Sequence, residues 1–128
     1  ADVTVTAWIE GGPLRPGGGA TLRARVTLAG SLYVSAPLAS VTAASDLPVE
    51  ASGFVASAPE SALLPFEDAP KAIYRKSFEL TAELRALPGA APGSRGRVRL
   101  SVRYQACDER SCRPFADLSV DVPVEIAP

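Results

Sequence analysis

The stretch V-R-L-S-V-R-Y-Q-A-C-D-E-R-S-C-R-P, residues 98–114, decides the fold class of this chain. Its first half alternates apolar side chains with polar or charged ones, a period of two that predicts a strand with one buried face. A second alternating run, residues 118–126, follows it. The two runs predict a β-hairpin, and the connection between them holds both cysteines of the protein, Cys107 and Cys112.

The cysteine spacing permits a disulfide. Residues 108–111 separate Cys107 from Cys112, and a hairpin of this length can place two Cβ atoms opposite each other at the short distance that a disulfide needs. Closing so small a loop contributes only about 2 kcal/mol in the chain-entropy description. Two interpretations therefore stay open: a structural bridge, and a pair that cycles between dithiol and disulfide.

Composition bounds the class of protein. A chain of 128 residues with 47% hydrophobic and 21% charged residues is typical of a globular domain, and we expect one domain over residues 1–128. The net charge of −1 gives no general attraction to nucleic acid. No apolar run approaches the roughly 18 residues of a membrane span. The N-terminus lacks the pattern of a signal peptide, so for an exported protein we expect Ala1 near a processed or engineered start.

Missing residue types exclude several chemistries. The sequence has no histidine and no methionine, which removes the commonest general base and two of the commonest metal ligands. A Ser-His-Asp or Cys-His arrangement is impossible, and two cysteines alone do not complete a zinc site. We expect no metal and no cofactor, which leaves the cysteine pair as the candidate reactive group.

Short alternating runs recur along the whole chain, separated by glycine and proline. The further predicted strands are residues 3–9, 21–29, 32–34, 41–44, 49–56 and 73–84. About seven to nine strands in a chain of this length predict an all-β, immunoglobulin-like antiparallel sandwich. Residues 58–70 have no consistent period and predict a long loop. A helix competes for residues 77–87, but strict alternation favours a strand, with a bulge near Lys76 where the parity changes.

Residues 104–114, Y-Q-A-C-D-E-R-S-C-R-P, resemble the signature of the N-terminal periplasmic domain of the DsbD family of disulfide reductases. Residues 66–80, F-E-D-A-P-K-A-I-Y-R-K-S-F-E-L, are similar to the segment with that family's cap loop, and residues 30–37 are a weaker match. The resemblance covers residues 21–126, whereas residues 1–20 match poorly. That family has an immunoglobulin-like fold with a redox-active cysteine pair near one end of the sandwich.

The resemblance implies a periplasmic thiol–disulfide exchange module. Such a domain receives electrons from the reductase's membrane-embedded part through a thioredoxin-like domain, and it reduces the disulfides of periplasmic partners. Cys112 would then attack partners and Cys107 would resolve the mixed disulfide. The cap residue that shields the sulfurs would be Phe66. Further residues around the site would be Tyr33, Tyr104, Glu67 and Asp68.

The chain departs from that family's pattern in two places. The turn between the cysteines is one residue shorter than in the best-known member, and acids follow Phe66 where that member has an aromatic pair. The membrane-embedded and thioredoxin-like parts are also absent, which suits an excised domain or a stand-alone relative. The alternative function is a non-catalytic exported β-sandwich that binds protein or glycan through its loops and carries an inert structural disulfide.

Overall fold

The computed structural model describes residues 2–65 and 67–128, and within these ranges all regular structure is β-strand. The described residues contain no helix that is long and apolar enough to cross a membrane. The strands are β1 Val3–Glu10, β2 Gly19–Leu28, β3 Tyr33–Ser35, β4 Ser40–Ser45, β5 Val49–Ala56, β6 Glu60–Ala62, β7 Lys71–Arg75, β8 Ser77–Ala86, β9 Arg95–Tyr104, β10 Ala106–Cys107 and β11 Ala116–Glu125.

Two antiparallel sheets form the body of the molecule. Their strand orders are β1-β2-β8-β5 and β11-β9-β4, and β1 lies beside β11 at one side while β4 lies beside β5 at the other. Alternate residues of each strand point inward and form a single apolar core. Its strand residues below 3% exposure include Leu22, Ala24, Val26, Leu84, Ala86, Val98, Leu100 and Val102. The prediction of an immunoglobulin-like antiparallel sandwich is confirmed.

A third, smaller sheet with the order β10-β3-β7-β6 extends one end of the sandwich. The chain enters it from β2, β5 and β9 and leaves it into β4, β8 and β11. Two residues with left-handed backbone lie where the chain passes between a main sheet and the small sheet: Gly30 with φ 60° and Lys76 with φ 62°. The Leu28 N–H donates to the Lys76 carbonyl at 2.6 Å, and this bond links the end of β2 to the residue that precedes β8.

The strand prediction for residues 73–84 is confirmed, and its alternative, a helix over residues 77–87, is wrong. Strand β8 lies between β2 and β5 and pairs with both. The predicted change of face near Lys76, and the bulge proposed for it, are wrong. Tyr74 and Phe78 have the same parity, belong to one core and stack with ring centroids 4.4 Å apart, whereas Ile73 is buried on the opposite face of the small sheet. At Lys76 the chain passes from the small sheet into a main sheet.

The prediction of a continuous loop over residues 58–70 is wrong in part. Strand β6 lies inside it and pairs with β7, with Glu60 opposite Ile73 and Ala62 opposite Lys71. A three-residue strand is too short to show a period of two, so its pairing depends on the neighbouring strand and not on its own pattern.

The hairpin predicted from the two alternating runs is present, but the cysteines do not lie in its ladder. Strands β9 and β11 pair from Tyr104 opposite Ala116 to Arg95 opposite Glu125. The connecting residues 105–115 leave this hairpin, and β10 pairs with β3 in the small sheet. A local pattern shows that two strands can pair, but it does not show where a long connection between them will lie.

We predict that Lys76→Gly raises the free energy of unfolding by up to about 1 kcal/mol, because a side chain disfavours left-handed backbone and glycine does not. Chemical denaturation measures the change. The control is Arg85→Gly inside β8, which should lower stability by about 0.5–1 kcal/mol, since glycine weakens a strand interior. A loss of similar size for both variants contradicts the prediction.

Candidate functional site

Cys107 and Cys112 form a disulfide across a small hairpin of their own. The S–S distance is 2.07 Å and the Cα atoms are 4.0 Å apart. The Asp108 N–H donates to the Ser111 carbonyl at 2.9 Å, and the Arg113 N–H donates to the Ala106 carbonyl at 2.8 Å. These bonds flank the cysteines and make them a non-hydrogen-bonded antiparallel pair, the arrangement in which side chains lie closest. The predicted placement of the two cysteines opposite each other is confirmed.

The two bonded cysteines differ in exposure. Cys107 belongs to β10, pairs with Tyr33 of β3 and is only 3% exposed. Cys112 follows the turn and is exposed. A thiolate that approaches this disulfide from solvent therefore meets Cys112 first.

Cys107 lies on the face of the small sheet that points away from the main core. In one row of the sheet Ala106, Val34 and Tyr74 belong to the core. The next row contains Cys107, Tyr33 and Arg75, which by strand alternation point to the opposite face. Ile73 lies on that outer face too and is fully buried, although it is not part of the main core cluster. Other parts of the chain must therefore cover this face.

The segment between β6 and β7 lies beside that face. Leu63, Leu64 and Pro65 line a cavity of about 390 Å³ that also borders the cysteine turn at Glu109. The other lining residues are Gly30, Ser31, Leu32, Tyr33, Arg75 and Lys76. Residues 63–65, which immediately precede the predicted cap segment 66–80, thus share a cavity with the cysteine turn and with Tyr33. Phe66, the predicted cap residue, lies outside the described residues.

Tyr104 lies on the other side of the cysteine segment. It ends β9 and lines a cavity of about 210 Å³ with Ala106 and Arg113. Burial raises the pKa of its hydroxyl, against an opposing effect of the Arg113 charge. Arg113 also pairs with Asp2, with 2.7 Å between Nη1 and Oδ2. The residue after Cys112 is thereby attached to the start of β1.

Glu67 and Asp68 are both exposed. The Glu67 carboxylate lies 3.8 Å from Lys71 Nζ, and the Glu67 N–H donates to the Leu64 carbonyl. These contacts order the cap segment itself. That either carboxylate tunes the thiols stays a prediction.

Asp108 orders the turn between the cysteines. Its Oδ1 accepts the N–H groups of Arg110 at 2.8 Å and Ser111 at 2.9 Å. The backbone donors of Ser111 and Arg110 lower the pKa of this carboxyl, and the charges of Arg113 and Arg110 add to the effect. The carboxylate is therefore the form that matches the folded turn.

The role of Asp108 in the turn was not predicted from the sequence. Asx turns, in which an aspartate accepts backbone N–H groups a few residues later, are a property of this residue type, so the role was within reach of sequence reasoning. The Asp2–Arg113 pair and the cavity shared by Leu63 and Glu109 carried no such signal, because each joins segments that are distant along the chain.

No protein-family model and no curated protein matches the sequence. Solved structures do match. The reduced N-terminal domain of DsbD from Neisseria meningitidis is 17% identical, with a TM-score of 0.52 over 82% of this chain and 81% of that one. The same domain in complex with the PilB N-terminal domain matches at 17% identity and TM-score 0.52, over 93% and 80% of the chains.

Two further proteins share the fold. The N-terminal periplasmic domain of ScsB from Proteus mirabilis is 16% identical, with a TM-score of 0.56 over 98% of this chain and 47% of that one. BcpA, the major pilin subunit of Bacillus cereus, is 15% identical, with a TM-score of 0.55 over 98% and 40%. The fold is that of the DsbD N-terminal domain. The resemblance seen in the sequence is confirmed at this level, and the pilin shows that the fold serves other purposes as well.

Asp108 should make the stability of the chain depend on pH. A carboxyl whose pKa is lowered in the folded state stabilises at pH above its unfolded value, and this contribution is lost as pH falls through the lower folded value. Asp108→Asn keeps an acceptor oxygen and removes the charge. We predict that the variant is less stable than the wild type well above the ordinary value of 3.8, and that the difference disappears in acid.

Denaturation of both proteins across a pH series measures this difference. The control is Glu109→Gln, which removes the neighbouring charge from the same turn and leaves both hydrogen bonds to Asp108 in place. A gap between wild type and Asp108→Asn that stays constant down to the most acidic sample contradicts the prediction.

Proposed function

We propose that this chain is a thiol–disulfide exchange module of the DsbD N-terminal type, in which Cys112 reacts with partners and Cys107 resolves. The observation that carries the proposal is the unequal exposure of two bonded cysteines, with Cys107 buried in β10 and Cys112 open to solvent. Exchange requires an attacking thiolate to reach one sulfur of a disulfide along the S–S axis. Here the exposed residue of the pair is Cys112.

Reduction of the module begins with the thiolate of a thioredoxin-like dithiol. It attacks Cys112 Sγ, the Cys107–Cys112 bond breaks, and Cys107 leaves as a thiolate that takes up a proton. The second thiol of the donor then attacks the donor sulfur bonded to Cys112. The donor departs as a disulfide, having given two electrons and two protons to the cysteine pair.

Reduction of a partner disulfide follows the same steps in reverse. The Cys112 thiolate attacks a partner sulfur and forms a mixed disulfide, and the other partner sulfur leaves. Cys107 then attacks Cys112 Sγ, which frees the second partner sulfur and restores the Cys107–Cys112 bond. The buried position of Cys107 favours this resolving step, because a sulfur held beside Cys112 acts within the molecule at high effective concentration.

The surroundings of the pair suit a gated exchange site. Tyr33 is the cross-strand neighbour of Cys107, and the segment from Leu63 to Pro65 borders the cavity next to the cysteine turn. We propose that this segment, with Phe66, covers the pair until a partner displaces it. The chemistry needs no cofactor beyond the two cysteines.

The bridge contributes little as a brace. Strands β9 and β11 are already held by a continuous ladder, and the small loop between the cysteines lies outside it. A structural bridge in a non-catalytic module, the alternative function, would stabilise most if it closed a long loop. The position of the bridge therefore supports exchange over bracing.

The solved neighbours support the choice of partner and compartment. The DsbD N-terminal domain was solved in complex with the PilB N-terminal domain, and the ScsB domain is described as periplasmic. We propose that this chain works in the periplasm with thioredoxin-like proteins as electron donors and acceptors, and that it meets a membrane only through a separate reductase part.

We predict that Cys107→Ser accumulates a mixed disulfide between Cys112 and an oxidised thioredoxin-like protein, because the attacking sulfur remains and the resolving one is gone. Non-reducing electrophoresis and mass spectrometry of the adduct measure the outcome. Cys112→Ser is the matched control, since it leaves the buried sulfur alone, and it should trap several-fold less. Equal trapping by the two variants removes the assigned order, stronger trapping by Cys112→Ser reverses it, and no adduct with either variant removes the proposed function.

The redox pair and the structural bridge also differ in reduction potential. Structural disulfides lie below about −300 mV, whereas exchanging pairs lie near the thioredoxin value of about −270 mV or above it. We predict that Cys107–Cys112 equilibrates with a glutathione or thioredoxin buffer, and that reduction lowers the free energy of unfolding by no more than about 2 kcal/mol. Thiol alkylation across a buffer series reads the potential. A pair that stays oxidised throughout indicates the inert bridge.

A further inference from the structure

A side chain closes the turn between the cysteines where the backbone alone does not. The Asp108 N–H donates to the Ser111 carbonyl, as in an ordinary hairpin. The reciprocal donor, the Ser111 N–H, goes instead to Asp108 Oδ1 at 2.9 Å, and the Arg110 N–H joins it at 2.8 Å. The carboxylate thus takes the place that the Asp108 carbonyl has in a closed two-residue hairpin.

The backbone of the turn explains why a side chain is needed. Two-residue hairpin loops favour primed turns, which require positive φ at the first or at both central residues. The central residues here are Glu109 and Arg110, and among the described residues Lys76 is the one non-glycine with positive φ. The turn is therefore not of a primed type, and Asp108 supplies acceptors that the backbone of this turn does not provide.

We propose that Asp108 is a positioning residue for the cysteine pair, which holds the two sulfurs opposite each other in the dithiol state and so lowers the reduction potential of the pair. The inference deepens the proposed function, because it rests on a pair that opens and closes. In this proposal the turn between the cysteines controls how readily the disulfide is reduced.

The hydrogen bonds that carry the argument involve no sulfur atom. The bonds from Asp108, Arg110, Ser111 and Arg113 join backbone and carboxylate groups, so they can persist when the S–S bond is broken. A hairpin that stays closed keeps the thiols at high effective concentration. Without the carboxylate, the N–H groups of Arg110 and Ser111 donate to water instead, and the dithiol form gains conformational freedom. The disulfide is then less stable relative to the dithiol.

The experiment measures the equilibrium of the full chain with glutathione. The two cysteine thiols give two electrons and two protons to glutathione disulfide, which leaves as two molecules of glutathione. We expect Asp108→Ala to lower the equilibrium constant for disulfide formation about tenfold, equivalent to a potential about 30 mV more oxidising. A pair too stable for glutathione is titrated against dithiothreitol, so a potential is obtained either way.

The variant Asp108→Asn distinguishes the effect of the hydrogen bonds that hold the turn from the effect of the negative charge of Asp108. Its amide oxygen can accept the same two N–H groups without the charge, so its potential should lie closer to the wild-type value than that of Asp108→Ala does. Both variants remove a negative charge near the thiols, and a shift caused by thiolate stabilisation would appear in both of them. Equal shifts in the two variants, or no shift in Asp108→Ala, overturn the proposal.

Asp46→Ala is the matched control for a general loss of stability. Asp46 Oδ1 accepts the Arg97 N–H at 2.8 Å, the same kind of carboxylate–backbone bond, in a part of the chain away from residues 105–115. We expect this variant to lower the unfolding midpoint and to leave the potential unchanged. A shift equal to that of Asp108→Ala assigns the effect to overall stability and overturns the positioning role.

The two proposals fail independently. A shifted potential in Asp108→Ala, with no partner adduct in Cys107→Ser, removes exchange with thioredoxin-like proteins and leaves the positioning role in place. An adduct in Cys107→Ser, with an unshifted potential in Asp108→Ala, keeps the exchange module and removes the role of Asp108.

Discussion

Burial of alternate side chains between two sheets is the constraint on which the rest of this structure depends. Strands β2, β8 and β9 each contribute an inward row of apolar residues, and those rows meet in one core. Once they are packed, the ends of β2 and β9 and the start of β8 lie at one end of the sandwich. The small sheet forms at that end, so the cysteine pair is positioned by strands whose stability comes from the main core and not from the cysteine segment itself.

The chemistry of the site follows from a difference in environment between two covalently joined residues. Cys107 is buried because β10 pairs with β3, on a face that the chain covers from the outside. Cys112 is exposed because it returns from a tight turn and pairs with Cys107 alone. A symmetrical pair would give a partner no preferred sulfur. The proposed exchange uses this asymmetry to assign each cysteine a separate task, which a bracing disulfide would not require.

The neighbours in fold illustrate how little the sandwich alone says about activity. The DsbD and ScsB domains share the architecture with a pilin subunit at about the same level of similarity. The proposed exchange therefore depends on the site: the paired cysteines, the turn that Asp108 closes, and the segment Leu63–Pro65 that shares a cavity with this turn. These features belong to the loops and the small sheet at one end of the sandwich, whereas the shared fold belongs to the two main sheets.

Local patterns determined the longer strands, the two-layer class and the placement of the cysteines opposite each other across a short turn. Each of these depends on neighbouring residues: a period of two shows which side chains share a face, and the spacing of Cys107 and Cys112 limits how far apart they can lie. Tertiary structure alone decided that β10 joins β3, that Lys76 adopts a left-handed backbone where the chain changes sheet, and that Asp2 meets Arg113. These contacts join segments that are distant along the chain or occur where nothing in the residue type favours them. They follow from how the two main sheets pack, and no short stretch of sequence contains that information.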